Sequence, residues 1–202
     1  AKTDELKRII VDTYDYVGDM KRDYRLVTPW KYNVSLGYTV GTSLALGAEY
    51  EYEDYSTMKF KYSSNDGGGE NAEVKNCLKG EHTFRIGAEY KVIPEFAFRL
   101  GYNYSSAVFR DEAVKYIPSN SLITDTDFSN KRSQSNYTLG IGYRGKMFYA
   151  DLAYQLSTYK ENFYPFYNEF ELTQGEWTMV TPPATKVTNT RSQVLLTVGM
   201  RF

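Results

Sequence analysis

A chain of 202 residues is long enough for one domain with a sizeable interior and too short for much more. Its 24 Lys and Arg against 25 Asp and Glu leave a formal net charge of -1 with the signs interspersed. That is not the basic field nucleic-acid binding requires, so no nucleic-acid partner is expected. One cysteine, Cys77, excludes an intramolecular disulfide and a Cys-rich metal site.

No window approaches the roughly 18 consecutive apolar residues of a membrane-spanning helix, and mean hydropathy is -0.54. A transmembrane strand, however, needs only about 9 to 11 residues with apolar side chains on one face, so an outer-membrane barrel is also hydrophilic on average. The 20 tyrosines favour that second reading, because aromatic side chains gather where a barrel wall meets lipid headgroups. No signal peptide precedes Ala1, as expected of a mature form or a fragment.

Residues 1–29 are poorly defined: Glu5 to Val17 suits a short helix or a strand. At Trp30 a period-two alternation begins, predicting a strand over 30–40 with Trp30, Tyr32, Val34, Leu36, Tyr38 and Val40 on one face. A three-residue turn leads to a strand over 44–55, whose Leu44, Leu46, Ala48, Tyr50 and Tyr52 match those faces. Only an even sum of paired residue numbers keeps the faces together, which sets Lys31 opposite Glu53. A polar loop is expected over 63–81, with room in it for a short helix from Asn71 to Leu78. Strands over 82–92 and 96–108 follow, joined at Ile93-Pro94-Glu95, and parity places Glu89 opposite Arg99.

A second long loop, 110–135, precedes strands over 136–144 and 147–158 joined by a two-residue Gly145-Lys146 turn. A third, 160–187, leads to a strand over 189–202 that alternates to the final Phe202. The expected fold class is thus all-β: one antiparallel wall of seven clear strands in a single domain, with tight turns alternating with long loops as in transmembrane barrels. Tyr38, Tyr90, Phe96, Tyr143, Phe148 and Phe202 fall near the tight-turn rim, and Trp30, Tyr52, Tyr104, Tyr137 and Tyr154 near the other. A soluble sandwich, the competing fold, gives tyrosines no reason to sort by height.

The face opposite the apolar one carries Lys31, Glu49, Glu51, Glu53, Arg85, Glu89, Arg99, Arg144, Asp151 and Arg191. This charged cluster either guides a solute or neutralises itself inside a wall that must hide charge from lipid. The two-residue spacing of Glu49, Glu51 and Glu53 would suit an oxygen-ligated cation, but Lys31 and Arg85 lie where they would satisfy those carboxylates. The single histidine, His82, points to the apolar side at the loop end, which argues against a Ser/His/Asp site on the charged face. No catalytic residue, metal or cofactor is expected, and Cys77, in a loop, is given no role. Phe163, Tyr164, Phe166, Tyr167, Phe170 and Trp177 form an aromatic outer loop, either a hydrophobic entrance or a loop packed on its own rings.

Three stretches carry a family resemblance: Thr28-Pro29-Trp30-Lys31-Tyr32-Asn33-Val34-Ser35-Leu36-Gly37-Tyr38, Leu46-Gly47-Ala48-Glu49-Tyr50-Glu51-Tyr52, and Phe84-Arg85-Ile86-Gly87-Ala88-Glu89-Tyr90 with Pro94-Glu95-Phe96-Ala97-Phe98-Arg99-Leu100-Gly101-Tyr102. They resemble the C-terminal half of the FadL-type outer-membrane transport family, from about Asp23 to the end. The resemblance implies a barrel of about fourteen strands that takes up hydrophobic molecules, with an N-terminal plug and a lateral opening. Neither the plug nor the family's N-terminal strands can be found in this chain.

The implied function is passive uptake of small hydrophobic molecules, such as long-chain fatty acids, in the outer membrane of a Gram-negative bacterium. The implied partners are membrane lipid, a hydrophobic ligand, and the missing N-terminal half or a partner chain. A small structural or adhesive eight-stranded barrel with a filled lumen is the alternative, with residues 1–29 supplying the eighth strand, and a lipid-modifying enzyme comes third.

Overall fold

The computed structural model describes residues 24–62, 68–111, 113–114, 122–125, 127–173, 175–180 and 182–200. The N-terminal segment through residue 23, together with Arg201 and Phe202, lies outside the described residues. Seven strands form one antiparallel sheet in which each pairs with the next along the chain: β2 Lys31–Val40, β3 Leu44–Asp54, β5 Gly80–Ile93, β6 Phe96–Ser105, β8 Phe128–Arg144, β9 Phe148–Tyr164 and β12 Thr185–Met200. Among the described residues this sheet is open, with β2 and β12 at its edges.

The register follows the hydrophobic alternation. Lys31 stands opposite Glu53 and Glu89 opposite Arg99. Val40 pairs with Leu44 across a turn whose Gly41 has φ of 57°, a left-handed conformation that a side chain would strain. At the next hairpin a bulge between Lys91 and Ile93 tightens the link to Pro94-Glu95.

The β8–β9 turn differs from expectation. Arg144 pairs with Tyr149, and the Gly145 N–H donates to the Phe148 carbonyl at 2.8 Å, so the turn extends beyond Gly145-Lys146. Turn lengths that differ by two residues preserve the same faces, so parity alone cannot separate them.

The expected long loops also hold regular structure. The 63–81 segment contains helix α1, Gly68–Cys77, which covers nearly all of the expected short helix and starts three residues earlier, so Cys77 lies on a helix, and β5 already begins at Gly80. Strand β4, Lys59–Tyr62, pairs with β1, Tyr24–Val27, as a separate ribbon. The 110–135 and 160–187 segments contribute β7 Leu122–Asp125, β10 Tyr167–Thr173 and β11 Glu176–Val180, a three-stranded sheet in the order β11-β10-β7. Strands β8, β9 and β12 run on into the same segments, beyond the expected 136–144, 147–158 and 189–202.

A small core forms above the sheet. Val74 and Leu78 of the helix region are buried, as are Ala107, Ala113 and Phe128, whose ring stacks on Tyr164 at 4.7 Å. Asn130, 1% exposed, fastens the 111–113 segment by donating through Nδ2 to the Asp111 and Ala113 carbonyls at 2.9 and 3.0 Å.

The two faces of the large sheet invert the pattern of a soluble protein. On the apolar face Leu36 is 73% exposed, Val34 72% and Leu196 66%, while on the other face Thr83 and Ser157 are 4% and 3% exposed. Water-exposed patches rarely hold so continuous a run of aliphatic side chains.

Candidate functional site

Two ion-paired networks occupy the polar face, the first of them built across neighbouring strands by the register. In the first, Lys31 Nζ lies 3.2 Å from Glu51 Oε1 and 3.1 Å from Glu53 Oε2, while Arg85 Nη1 contacts Glu49 and lies 3.3 Å from Glu51 Oε2. The three glutamates of β3 share a face because their spacing is two, and β2 and β5 bring one cation from each side. Lysine and arginine thus occupy the positions a bound cation would need. Among the described residues no group of three or more His, Cys, Asp or Glu has a metal-holding arrangement.

In the second network Arg99 on β6 bridges two strands. Its Nε donates to Glu89 Oε2 at 2.7 Å and its Nη1 to Asp151 Oδ1 at 2.6 Å, reaching β9 across β8. Gly140 and Gly142 of β8 leave the room: a Cβ added at Gly142 would lie 2.6 Å from Asp151 Oδ1 and 3.0 Å from Arg99 Nη1. Lys91 adds a longer contact to Glu89 at 3.9 Å.

Arg144 and Arg191 join neither network through a salt bridge among the described residues. Arg144 instead lines two adjacent clefts at the tight-turn end. One, about 370 Å³, includes Gly145, Tyr149 and Asp151, and the other, about 330 Å³, includes Glu89, Lys91, Glu95 and Arg99.

Some polar residues escaped the sequence reading. Glu81 falls at the end of the expected 63–81 loop, yet it lies on β5 opposite Glu53. Asn103, flanked by Arg85 and Asn136, has a buried Oδ1 without a hydrogen-bond partner. Its place on the polar face was legible, but nothing in a single sequence marks an amide as unsatisfied.

His82 lies on the apolar side at the loop end, paired with Tyr52, its ring centroid 5.0 Å from that tyrosine and its Nδ1 2.8 Å from the Tyr50 hydroxyl. Of the aromatic segment, Phe163 and Tyr164 end β9, and Phe166 follows, 38% exposed. Tyr167 and Phe170 fall on β10 and Trp177 on β11, a hairpin rather than a loop; their side chains lie outside the described residues.

Burial pushes the Cys77 thiol up from its ordinary value, and the Glu73 carboxylate, 3.6 Å from Sγ, pushes the same way. Because the thiolate is the reactive form, alkylation of Cys77 is expected to be slow near pH 7 and to rise at higher pH than for a free thiol. Glu73→Gln should move that rise to lower pH. A rate–pH profile of iodoacetamide labelling checks both.

No protein-family model and no curated protein matches the chain. Fold and site define the class as an all-β antiparallel sheet with one apolar face and one ion-paired face.

Proposed function

We propose that the sheet is part of the wall of an outer-membrane barrel of the FadL type that admits small hydrophobic molecules passively. The observation that carries this reading is the exposed aliphatic face of β2, β6, β8 and β12, including Leu36, Leu100, Leu139 and Leu196, backed by ion pairs on the opposite face. Lipid is the solvent such a face suits, and an aqueous interior suits the charges. Aromatic pairs near both ends fit headgroup zones: Phe96 on Tyr143 at 4.9 Å by the tight turns, and Tyr52 on His82 at the other end. The family resemblance supplies the substrate class.

Strand number separates this reading from a small structural barrel, which the mutual neutralisation of the charges would also suit. About fourteen strands leave room for a ligand, whereas eight pack solid. The full-length gene product should therefore have the mass and strand count of the larger wall. In liposomes it should pass a long-chain fatty acid or an aromatic hydrocarbon, and flux should fall when Trp177, Phe170, Tyr167 and Phe166 are replaced by serine. A complete chain closing with eight strands around a filled core, or a folded barrel without apolar flux, refutes uptake.

A further inference from the structure

The β1–β4 ribbon contributes no side chain to either ion-paired network among the described residues. It continues past the Lys31–Glu53 end of the β2–β3 hairpin, the end that carries the long connections. Its register sets Arg25 directly opposite Lys61 and Val27 opposite Lys59, so three cations share one face. Like charges directly opposed across strands are unfavourable. None of the three has a salt bridge among the described residues, whereas Lys31, Arg85, Arg99 and Lys131 each lie on a carboxylate.

The other ribbon face holds Tyr24, Leu26, Phe60 and Tyr62. The Tyr62 hydroxyl donates to Glu70 of α1 at 3.1 Å, which commits that carboxylate to the face away from the cations. Asn71 holds the outer edge of β4: its Oδ1 accepts from the Phe60 N–H at 2.7 Å and its Nδ2 donates to the Phe60 carbonyl at 2.9 Å. The ribbon is thus held before any partner arrives, which lowers the ordering cost of binding. Next along the chain stands Trp30, 81% exposed, and Tyr24 and Leu26 are also exposed.

We propose that this ribbon grips phosphate-bearing lipid headgroups of the outer leaflet through Arg25, Lys59 and Lys61. The inference rests on the membrane reading above. Charge complementarity calls for an anionic partner, and a ribbon that exposes Tyr24 and Leu26 on the face opposite the cations, with Trp30 next along the chain, suits a lipid surface rather than a soluble acidic partner.

The test uses the full-length gene product folded in detergent micelles doped with bisphosphorylated lipid A, with dephosphorylated lipid A and inorganic phosphate as the other probes. Each cation near an anionic lipid surface is worth about fivefold in binding, so the triple variant Arg25→Gln, Lys59→Gln, Lys61→Gln should bind bisphosphorylated lipid A roughly a hundredfold more weakly. It should bind the dephosphorylated lipid unchanged. The substitutions relieve the Arg25–Lys61 repulsion, so the variant should fold, as read by heat-modifiable gel mobility. Independently of any variant, wild-type binding must weaken as salt rises.

Equal binding by variant and wild type, no preference for the phosphorylated lipid, or salt-independent binding overturns the proposal. Displacement of lipid A by micromolar inorganic phosphate overturns the assignment to lipid. A full-length gene product that shows no heat-modifiable barrel removes the membrane reading and this proposal together, whereas an intact barrel indifferent to phosphate removes this proposal alone.

Discussion

Arginine in place of Leu139 or Leu196 is expected to block assembly into a bilayer. Both side chains stand on the apolar face, more than half exposed. In the proposed orientation they meet the hydrocarbon midplane, where a charge costs roughly 2 to 4 kcal/mol, a large share of a stability of about 5 to 15 kcal/mol. Thr138→Arg is the control. Thr138 precedes Leu139 on β8 and lies on the ion-paired face, in register with Gly101 and Gln155. It should fold with far smaller loss. Heat-modifiable mobility after refolding into liposomes reads the difference, and equal effects at 138 and 139 would mean that the faces are misassigned.

Arg99→Gln should be the most damaging change on the polar face. Among the described residues Arg99 alone joins Glu89 to Asp151, and its removal leaves Asp151 without a salt bridge and Glu89 with only the 3.9 Å contact to Lys91. Hydrogen bonds to charged groups are worth about 1.5 to 3 kcal/mol. These side chains are about a third exposed, so screening reduces the expected loss to about 1 to 2 kcal/mol. The urea midpoint of the folded form measures it. Adding Glu89→Gln to Arg99→Gln should recover part of the loss, whereas adding Lys31→Gln, in the other network, should be additive.

The sequence made the wall legible wherever its two faces meet different surroundings. From Trp30 to Val40, or Phe84 to Val92, every second residue is apolar because one face is apolar and the other ion-paired, and parity then fixed both cross-strand pairs. Legibility stopped where both faces are polar. Phe128–Arg144 continues the same ladder as Tyr137–Arg144, yet Ser129, Asn130, Ser133, Gln134 and Ser135 carry no alternation to betray it. The same holds for Lys160–Asn162 and Thr185–Arg191. The β1–β4 ribbon was missed because its two halves lie on either side of the β2–β3 hairpin, and four-residue strands are too short to show a period. Within the site, the partners of Arg85 followed from register, but the reach of Arg99 over Gly142 to Asp151 depends on side-chain length and on a gap that spacing does not encode.

Gly37, Gly47, Gly87 and Gly101 are paired in series across β2, β3, β5 and β6, so four strands lack a side chain at the same height on the same face. A sheet resists inward bending chiefly through crowding of the Cβ atoms on its concave side. Along this line that resistance is absent, and the line acts as a crease. The crease stops at β8, where Thr138 takes the corresponding place and its hydroxyl fills the space beside Gly101. Curvature should therefore be uneven along the sheet, sharp over β2 to β6 and shallow over β8 to β12, and in the proposed barrel it would make this part of the wall depart from a round cross-section. At Gly47 no atom lies within 4 Å of an added Cβ, so alanine there is sterically free, and its effect would fall on the curvature of the sheet rather than on local packing.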